Sequence, residues 1–176
     1  MAISLAAACI VEAPGSDARR NAAGGAVVGS AAPLQVQTAA NLEDKVELVG
    51  ARFEPGRALP GEVVKATVWF KTLEEIPQDF AVFVHIEDVD GRLERVNIDH
   101  PPVGGTRPTS SWKKGETIAD TFQIQIPSGG SLRGLNVWLG LWHESTDTRL
   151  KLRNGDKVRN DGRDRILITT LPVGSS

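Results

Sequence analysis

The chain has 176 residues, a hydrophobic content of 40%, a charged content of 24% and a formal net charge of −2. These values are typical of a soluble globular protein, and the length suits one domain with a tail. No basic block stands out, so we expect no nucleic-acid partner. No apolar run approaches the roughly 20 residues that a membrane-spanning helix needs.

The N-terminal segment carries a candidate lipidation site at Cys9, the only cysteine. The small residues Ala6, Ala7 and Ala8 before it resemble the lipobox of bacterial lipoproteins. The resemblance implies acylation of Cys9, export, and a periplasmic or outer-membrane-anchored location in which the lipid is the only membrane contact. We therefore interpret residues 1–9 as a truncated lipoprotein signal. The alternative is a disordered leader with an unmodified thiol.

Residues 10–41 are rich in Ala and Gly and show neither a period of 2 nor one of 3.6. Ordering them would cost about 1–2 kcal/mol of backbone entropy per residue, with little apolar surface to bury in return. The sequence therefore predicts a flexible linker over 10–41.

A folded domain is predicted over 42–176, because apolar and polar residues alternate there between Gly and Pro breakers. Asp90-Gly91 predicts a tight hairpin. The predicted strands include Val46, Leu48 and Phe53, and then VVKATVWFKT, Phe80 to Val89, Arg92 to Ile98, Thr117 to Ile126, Leu135 to His143, Leu150 to Leu152 and Arg165 to Thr170.

About eight strands without a convincing helix predict an all-β fold, a two-sheet antiparallel β-sandwich of immunoglobulin-like or jelly-roll-like type. Alternate positions of these strands supply its expected core: Val68, Phe70, Val82, Val84, Ile86, Phe122, Ile124, Val137, Leu139 and Leu141.

Three stretches carry a resemblance to a known family: DFAVFVHIEDVDGRL, DHPPVGGTRPTSSWKKGE and VWLGLW. Together they resemble the extracytoplasmic β-sandwich domain appended to bacterial membrane glycosyltransferases of the dolichyl-phosphate-mannose-mannosyltransferase type. The similarity covers roughly residues 46–152. It implies a sandwich and an extracytoplasmic address but no activity of the domain itself, because the membrane-spanning catalytic module is not part of the resemblance.

The long Pro- and Gly-rich loop from His100 to Glu116 is the first candidate binding region, since ordered loops on a rigid sandwich often bind ligands. His100, Arg107 and Trp112 are its candidate residues. Arg107 and Trp112 could offer a guanidinium and an apolar plate to a glycan or peptide. The favoured interpretation is structural: Trp112 plugs one end of the sandwich and Arg107 pairs with a carboxylate.

Trp138 and Trp142 are the second pair of candidates, because residues four apart on a strand share a face. They could form an exposed stacking platform for a sugar. The favoured interpretation is again packing, in a strand buried on both sides.

Catalytic and metal-binding motifs are not recognisable, so we expect no cofactor, no metal and no enzymatic activity. Turn formation explains Asp88 and Asp90 beside Gly91 without calcium.

The leading hypothesis is a non-catalytic exported domain that binds a protein partner in a surface or envelope assembly. The alternative is a carbohydrate-binding module that uses Trp residues, and a hydrolase is the third hypothesis.

Overall fold

A computed structural model describes residues 34–129 and 131–174. None of the helices in this part of the chain is long and apolar enough to cross a membrane. Nine strands run through it: Val36–Leu42 (β1), Val46–Glu54 (β2), Val63–Thr72 (β3), Ala81–Asp88 (β4), Val96–Asn97 (β5), Thr117–Gln125 (β6), Gly134–His143 (β7), Thr148–Arg149 (β8) and Ile166–Pro172 (β9).

The strands form two antiparallel sheets, which confirms the predicted all-β sandwich. The first sheet has the order β1-β2-β3-β6. In the second sheet β4 lies between β5 and β7, and β7 pairs on its other side with both β8 and β9. Strand β7 is therefore the centre of the second sheet.

The core lies between the sheets, where alternate residues of each strand meet. All ten residues that the alternation predicts as core are at most 9% exposed. In β3, for example, Val64, Ala66, Val68 and Phe70 are buried. Burial of apolar surface at about 25 cal/mol per Å² is the main stabilising contribution of such a core.

The outer face of the second sheet is partly covered as well: Gly140 of β7 is buried there, whereas Trp138 and Trp142 are half-buried. Phe83 and His85 on β4 point to this face and are nearly inaccessible. The guanidinium of Arg149 lies 4.6 Å from the ring centre of Phe83, and that of Arg165 lies 4.8 Å from Trp138. Aliphatic stems and cation–π contacts thus replace a third apolar layer.

The predicted linker extends too far, because residues 36–41 belong to β1. This strand pairs with β2, and Ala40 and Leu42 are completely buried. A bulge with Ala39 at φ 52° interrupts the pairing and the alternation. The short side chain of Ala40 also carries little hydropathy signal, although it fills a core position.

Two further boundaries differ from the prediction. The chain after Asp90-Gly91 begins to pair with β4 only at Val96, because the Asp88 carboxylate accepts hydrogen bonds from the backbone N–H groups of Asp90 and Arg92 and holds a wider turn. Strand β8 lies just before the predicted segment Leu150–Leu152, in which Leu152 makes only an isolated bridge.

The covered outer face predicts that Gly140→Ala destabilises the fold. A Cβ at this position would lie 2.5 Å from the Phe83 ring and 3.2 Å from the backbone oxygen of Asp164. We expect overpacking to lower the free energy of unfolding by about 1–3 kcal/mol, measured by urea denaturation. The control is Gly129→Ala, whose Cβ would have no neighbour within 4 Å. Equal losses in the two variants would contradict this account of the outer face.

Candidate functional site

A buried contact between His100 and Asp120 fixes the start of the long loop. Nε2 of His100 lies 2.8 Å from Oδ2 of Asp120 on β6, and Nδ1 lies 2.8 Å from the backbone oxygen of Ile98. Both partners are hydrogen-bond acceptors, an arrangement that favours the doubly protonated imidazolium. His100 also bridges to Val82 of β4, which makes this contact a link between the two sheets.

The same carboxylate shapes the next turn of the loop. Asp120 Oδ1 accepts a hydrogen bond of 2.7 Å from the backbone N–H of Val103. Val103 has φ 53°, a left-handed conformation that is costly for a β-branched residue. Gly104 and Gly105 continue it with φ 60° and 84°. Asp120 therefore holds a strained turn that faces the surface.

Trp112 and Arg107 have the structural roles that their sequence context favours. Trp112 is completely buried and packs against Phe70, with ring centres 5.6 Å apart. Its Nε1 donates to the backbone oxygen of Arg107. Arg107 donates to Glu116 at 2.7 Å. Trp112 therefore cannot offer an aromatic plate to a ligand, and that candidate role is wrong.

Trp138 lies under Arg165 and does not form a stacking platform with Trp142. The Arg165 guanidinium is fixed by hydrogen bonds of 2.6 Å to both Glu87 and Asp161. The indole Nε1 of Trp138 is buried and has no hydrogen-bond partner among the described residues. This tryptophan is part of the covered outer face.

Trp142 is the candidate tryptophan that lines an open cleft. Its Nε1 donates to Oδ1 of Asp147 at 3.0 Å, which fixes the orientation of the indole. We call this cavity of about 470 Å³ the Trp142 cleft. Its walls are Asp79, Phe80, Ala81, Asp99, His100, Pro101, Pro102, Gly105, Pro108, Trp142 and Glu144.

Three carboxylates surround the Trp142 cleft. Asp99 Oδ1 accepts a hydrogen bond from the backbone N–H of Val84, and Asp79 Oδ1 accepts one from Ser110. The hydrogen bonds from Ser110 lower the pKa of Asp79. Glu144 forms no ion pair with any side chain in the described ranges. The cleft thus combines an oriented aromatic face with hydrogen-bond acceptors held in place.

A second cavity of about 370 Å³ adjoins the cleft at Phe80, which lines both. We call it the Arg149 cavity. Its walls are Glu43, Lys45, Gln78, Phe80, His143, Thr146, Thr148, Arg149, Leu150 and Lys151. Basic side chains make its character different from that of the acidic cleft.

The sequence predicts His100 and Trp142 as candidate site residues, but it does not predict the other residues that line the cleft with them. Phe80 was assigned to a strand, and no signal singled out Asp79, Asp99 or Glu144 among the 22 acidic residues. Asp99 and His100 are consecutive, and a carboxylate next to the candidate loop was the available clue. Their convergence with Trp142 depends on tertiary structure.

The remaining residues considered in the sequence are the aspartates beside Gly91 and Cys9. Asp90 pairs with Arg92 and Arg133, and Asp88 closes the turn. Within residues 34–129 and 131–174 no group of three or more His, Cys, Asp or Glu side chains could hold a metal ion. Cys9 and the predicted signal lie outside the described residues.

Comparisons with known proteins give structural similarity alone. No family model matches the sequence, and no curated protein matches it. The crystal structure of the C-terminal domain of wzt is similar over 84% of each chain, with 14% identity and a TM-score of 0.45. A Pseudomonas fluorescens alkylpurine DNA glycosylase, AlkC, bound to DNA with an abasic-site analogue, matches 74% of this chain with 10% identity and a TM-score of 0.41.

The chain spans about a third of the glycosylase, 31% of its length. Neither similarity assigns an activity to this chain. The resemblance to the glycosyltransferase-appended domain is supported only as far as a β-rich fold and otherwise stays a prediction.

The His100–Asp120 pair predicts a pH-dependent stability. Burial lowers the pKa of His100, but the hydrogen bonds to Asp120 and to the Ile98 carbonyl outweigh it and raise the pKa above its ordinary value. Because the folded-state pKa is the higher one, the stabilisation is complete below the unfolded value of about 6.5 and is lost as the pH rises through the folded value. Burial lowers the pKa of His85, so its effect is confined to pH below about 6.5.

We expect the free energy of unfolding to fall with pH above about 6.5 in the native protein. In the double variant His100→Gln with Asp120→Asn, which removes both charges together, this decrease should disappear. The control His143→Gln should keep it, since His143 bonds only to hydroxyl groups at the surface. Urea denaturation across the pH range gives the result, and a flat profile in the native protein would refute the ion pair.

Proposed function

We propose that this chain is a non-catalytic recognition domain and that its Trp142 cleft binds a glycan. The observation that carries the proposal is the combination of one oriented indole with carboxylate acceptors at the rim of a cleft. Sugar rings present apolar C–H faces that pack on aromatic rings, and their hydroxyl groups donate hydrogen bonds to carboxylates. The walls of the cleft offer both kinds of contact.

The rigidity of the cleft supports binding. Trp142 is held by Asp147, Asp99 by Val84 and the loop wall by Asp120. Pro101, Pro102 and Pro108 further restrict the loop. A site that is ordered before the ligand arrives loses less conformational entropy on binding.

The hydrogen bonds of His100 and the lowered pKa of Asp79 support a non-catalytic role for the cleft. Both ring nitrogens of His100 are engaged by acceptors within the protein, so neither is free to accept a proton from a substrate. The pKa of Asp79 is lowered, whereas a general acid in a glycosidase needs a raised one. Hydrolysis of a bound oligosaccharide would contradict the proposal.

Binding can be tested with a panel of neutral cello-, manno- and galacto-oligosaccharides by isothermal titration calorimetry. We expect one of them to bind and Trp142→Ala to weaken it at least about tenfold, because the stacking face is removed. The matched control is Trp69→Ala, which removes a half-buried indole on the opposite sheet, paired with Gly50 and Ala119. Binding of none of the panel, or equal effects of the two variants, would refute the proposal.

A second candidate function, docking of a protein partner in an envelope assembly, is favoured by an apolar surface near β5. Leu93 and Val96 are 38% and 47% exposed. They border a small groove that reaches Ile98, Ile124 and Leu135 between the edges of the two sheets. Exposed apolar side chains beside a groove are typical of protein interfaces.

Export and acylation at Cys9 remain part of this second proposal. Intact-mass analysis of protein extracted from native membranes is expected to show loss of residues 1–8 and added acyl chains on Cys9. A photo-crosslinker at position 96 should then join the protein to one defined partner, whereas one at position 156 should not. An unmodified chain that retains Met1 would refute the anchor, and identical crosslinks at both positions would refute the docking surface.

A further inference from the structure

The groove formed by the Trp142 cleft and the Arg149 cavity has two halves of opposite character. The Trp142 cleft presents Asp79, Asp99 and Glu144 with His100, whereas the Arg149 cavity presents Arg149 and two lysines with Glu43. Phe80 lines both halves and packs against His143 in a tilted arrangement, with ring centres 5.3 Å apart. A ligand longer than one sugar ring that lies on Trp142 can therefore reach basic groups without leaving the surface.

The strand register places Trp142 and Arg149 opposite each other. Trp142 of β7 and Arg149 of β8 are directly opposite partners in an antiparallel pair. Side chains of such partners point to the same face of a sheet, with Cβ atoms about 4.5–5.5 Å apart. A glycan unit stacked on Trp142 thus has Arg149 as its immediate neighbour.

Arg149 is the basic residue of this cavity whose charge is not compensated by a carboxylate. Lys45 pairs with Glu43 and Lys151 pairs with Asp164. The Arg149 guanidinium has no ion-pair partner among the described side chains. It is held by the Phe83 ring and by one hydrogen bond to the backbone oxygen of Arg163. Its remaining N–H groups are oriented and available.

Hydroxyl groups complete the surroundings of Arg149. Thr146 Oγ1 lies 2.7 Å from Thr148 Oγ1 and 2.8 Å from His143 Nδ1, so the three form a short hydrogen-bonded chain in the wall of the same cavity. A planar guanidinium matches carboxylate and phosphate groups with two parallel hydrogen bonds, and hydroxyl groups add donors for a third oxygen.

We propose that the glycan recognised at Trp142 carries an anionic substituent, a carboxylate or a phosphate, and that Arg149 binds this group. The inference rests on the proposed glycan-binding function and makes Arg149 the residue that determines specificity. The acidic half of the groove accepts hydroxyl groups, and the basic half fixes the direction in which the chain lies.

The test compares matched pairs of oligosaccharides by isothermal titration calorimetry on the full chain. Oligogalacturonate and its carboxyl-reduced counterpart test the carboxylate, and a mannose 6-phosphate oligosaccharide with its dephosphorylated form tests the phosphate. In one pair, the anionic member should bind about tenfold more tightly. Higher ionic strength should reduce this preference. The pair that shows it identifies the anion.

Arg149→Gln should remove the preference and leave the affinity for the neutral member unchanged. Arg149→Lys keeps the charge without the planar fork, so an intermediate preference is expected. The matched control is Arg153→Gln, an exposed arginine that lines neither cavity. Circular dichroism checks that each variant is folded.

The outcomes separate the inference from the function on which it rests. Equal affinity for the anionic and neutral members in both pairs, with Trp142→Ala weakening them all, would overturn the inference and leave glycan binding intact. A preference that persists in Arg149→Gln would also overturn it. Absence of binding by all four oligosaccharides would overturn the inference, and glycan binding itself would then stand or fall with the neutral panel.

Discussion

The ion pair between His100 and Asp120 is the contact on which the shape of the site depends. It links the edge of the second sheet to β6 of the first, at a point where the chain crosses between them. The other oxygen of the same carboxylate holds Val103 in a left-handed conformation. A charge buried on one strand can be retained only with such partners, since an unpaired buried carboxylate would be strongly destabilising. The partners that Asp120 needs, His100 and the backbone N–H of Val103, belong to the loop that forms one wall of the Trp142 cleft.

The opposite wall of the groove follows from the way the second sheet covers its outer face. This sheet has no third layer, and arginines from neighbouring segments lie across its aromatic rings. Arg165 is fully engaged by Glu87 and Asp161, so it is structural. Arg149 is engaged by an aromatic ring and a single backbone oxygen, which leaves hydrogen-bonding capacity facing the surface. Both arginines thus pack on aromatic rings of the outer face. Arg165 over Trp138 has its hydrogen-bonding groups occupied, whereas Arg149 near Trp142 keeps some of them unoccupied.

The sequence predicted those parts of the fold in which alternation is strong. Strands β3 and β6 follow from it, because each buries every second residue, whereas β4 and β7 were predicted although they also bury residues of the outer face. Strand β1 was missed, since alanines and a bulge weaken its pattern, and the connection after Asp90 is longer than its turn residues suggest. Trp142 and His100 could be singled out as candidates from residue type. The difference between buried Trp112 and accessible Trp142, and the approach of Asp79 and Asp99, depend on long-range pairing that no local pattern records.

The central claim, that the Trp142 cleft is the ligand-binding site, is tested most directly by nuclear magnetic resonance on the isotope-labelled protein. The tightest-binding oligosaccharide would be titrated while amide and indole N–H resonances are followed. The account predicts that the largest shifts occur at the Trp142 indole and at the amides of residues 79–81 and 99–105, with Trp69 and Trp112 unaffected. Shifts centred on Trp69 and the open face of the first sheet, with none at Trp142, would contradict it.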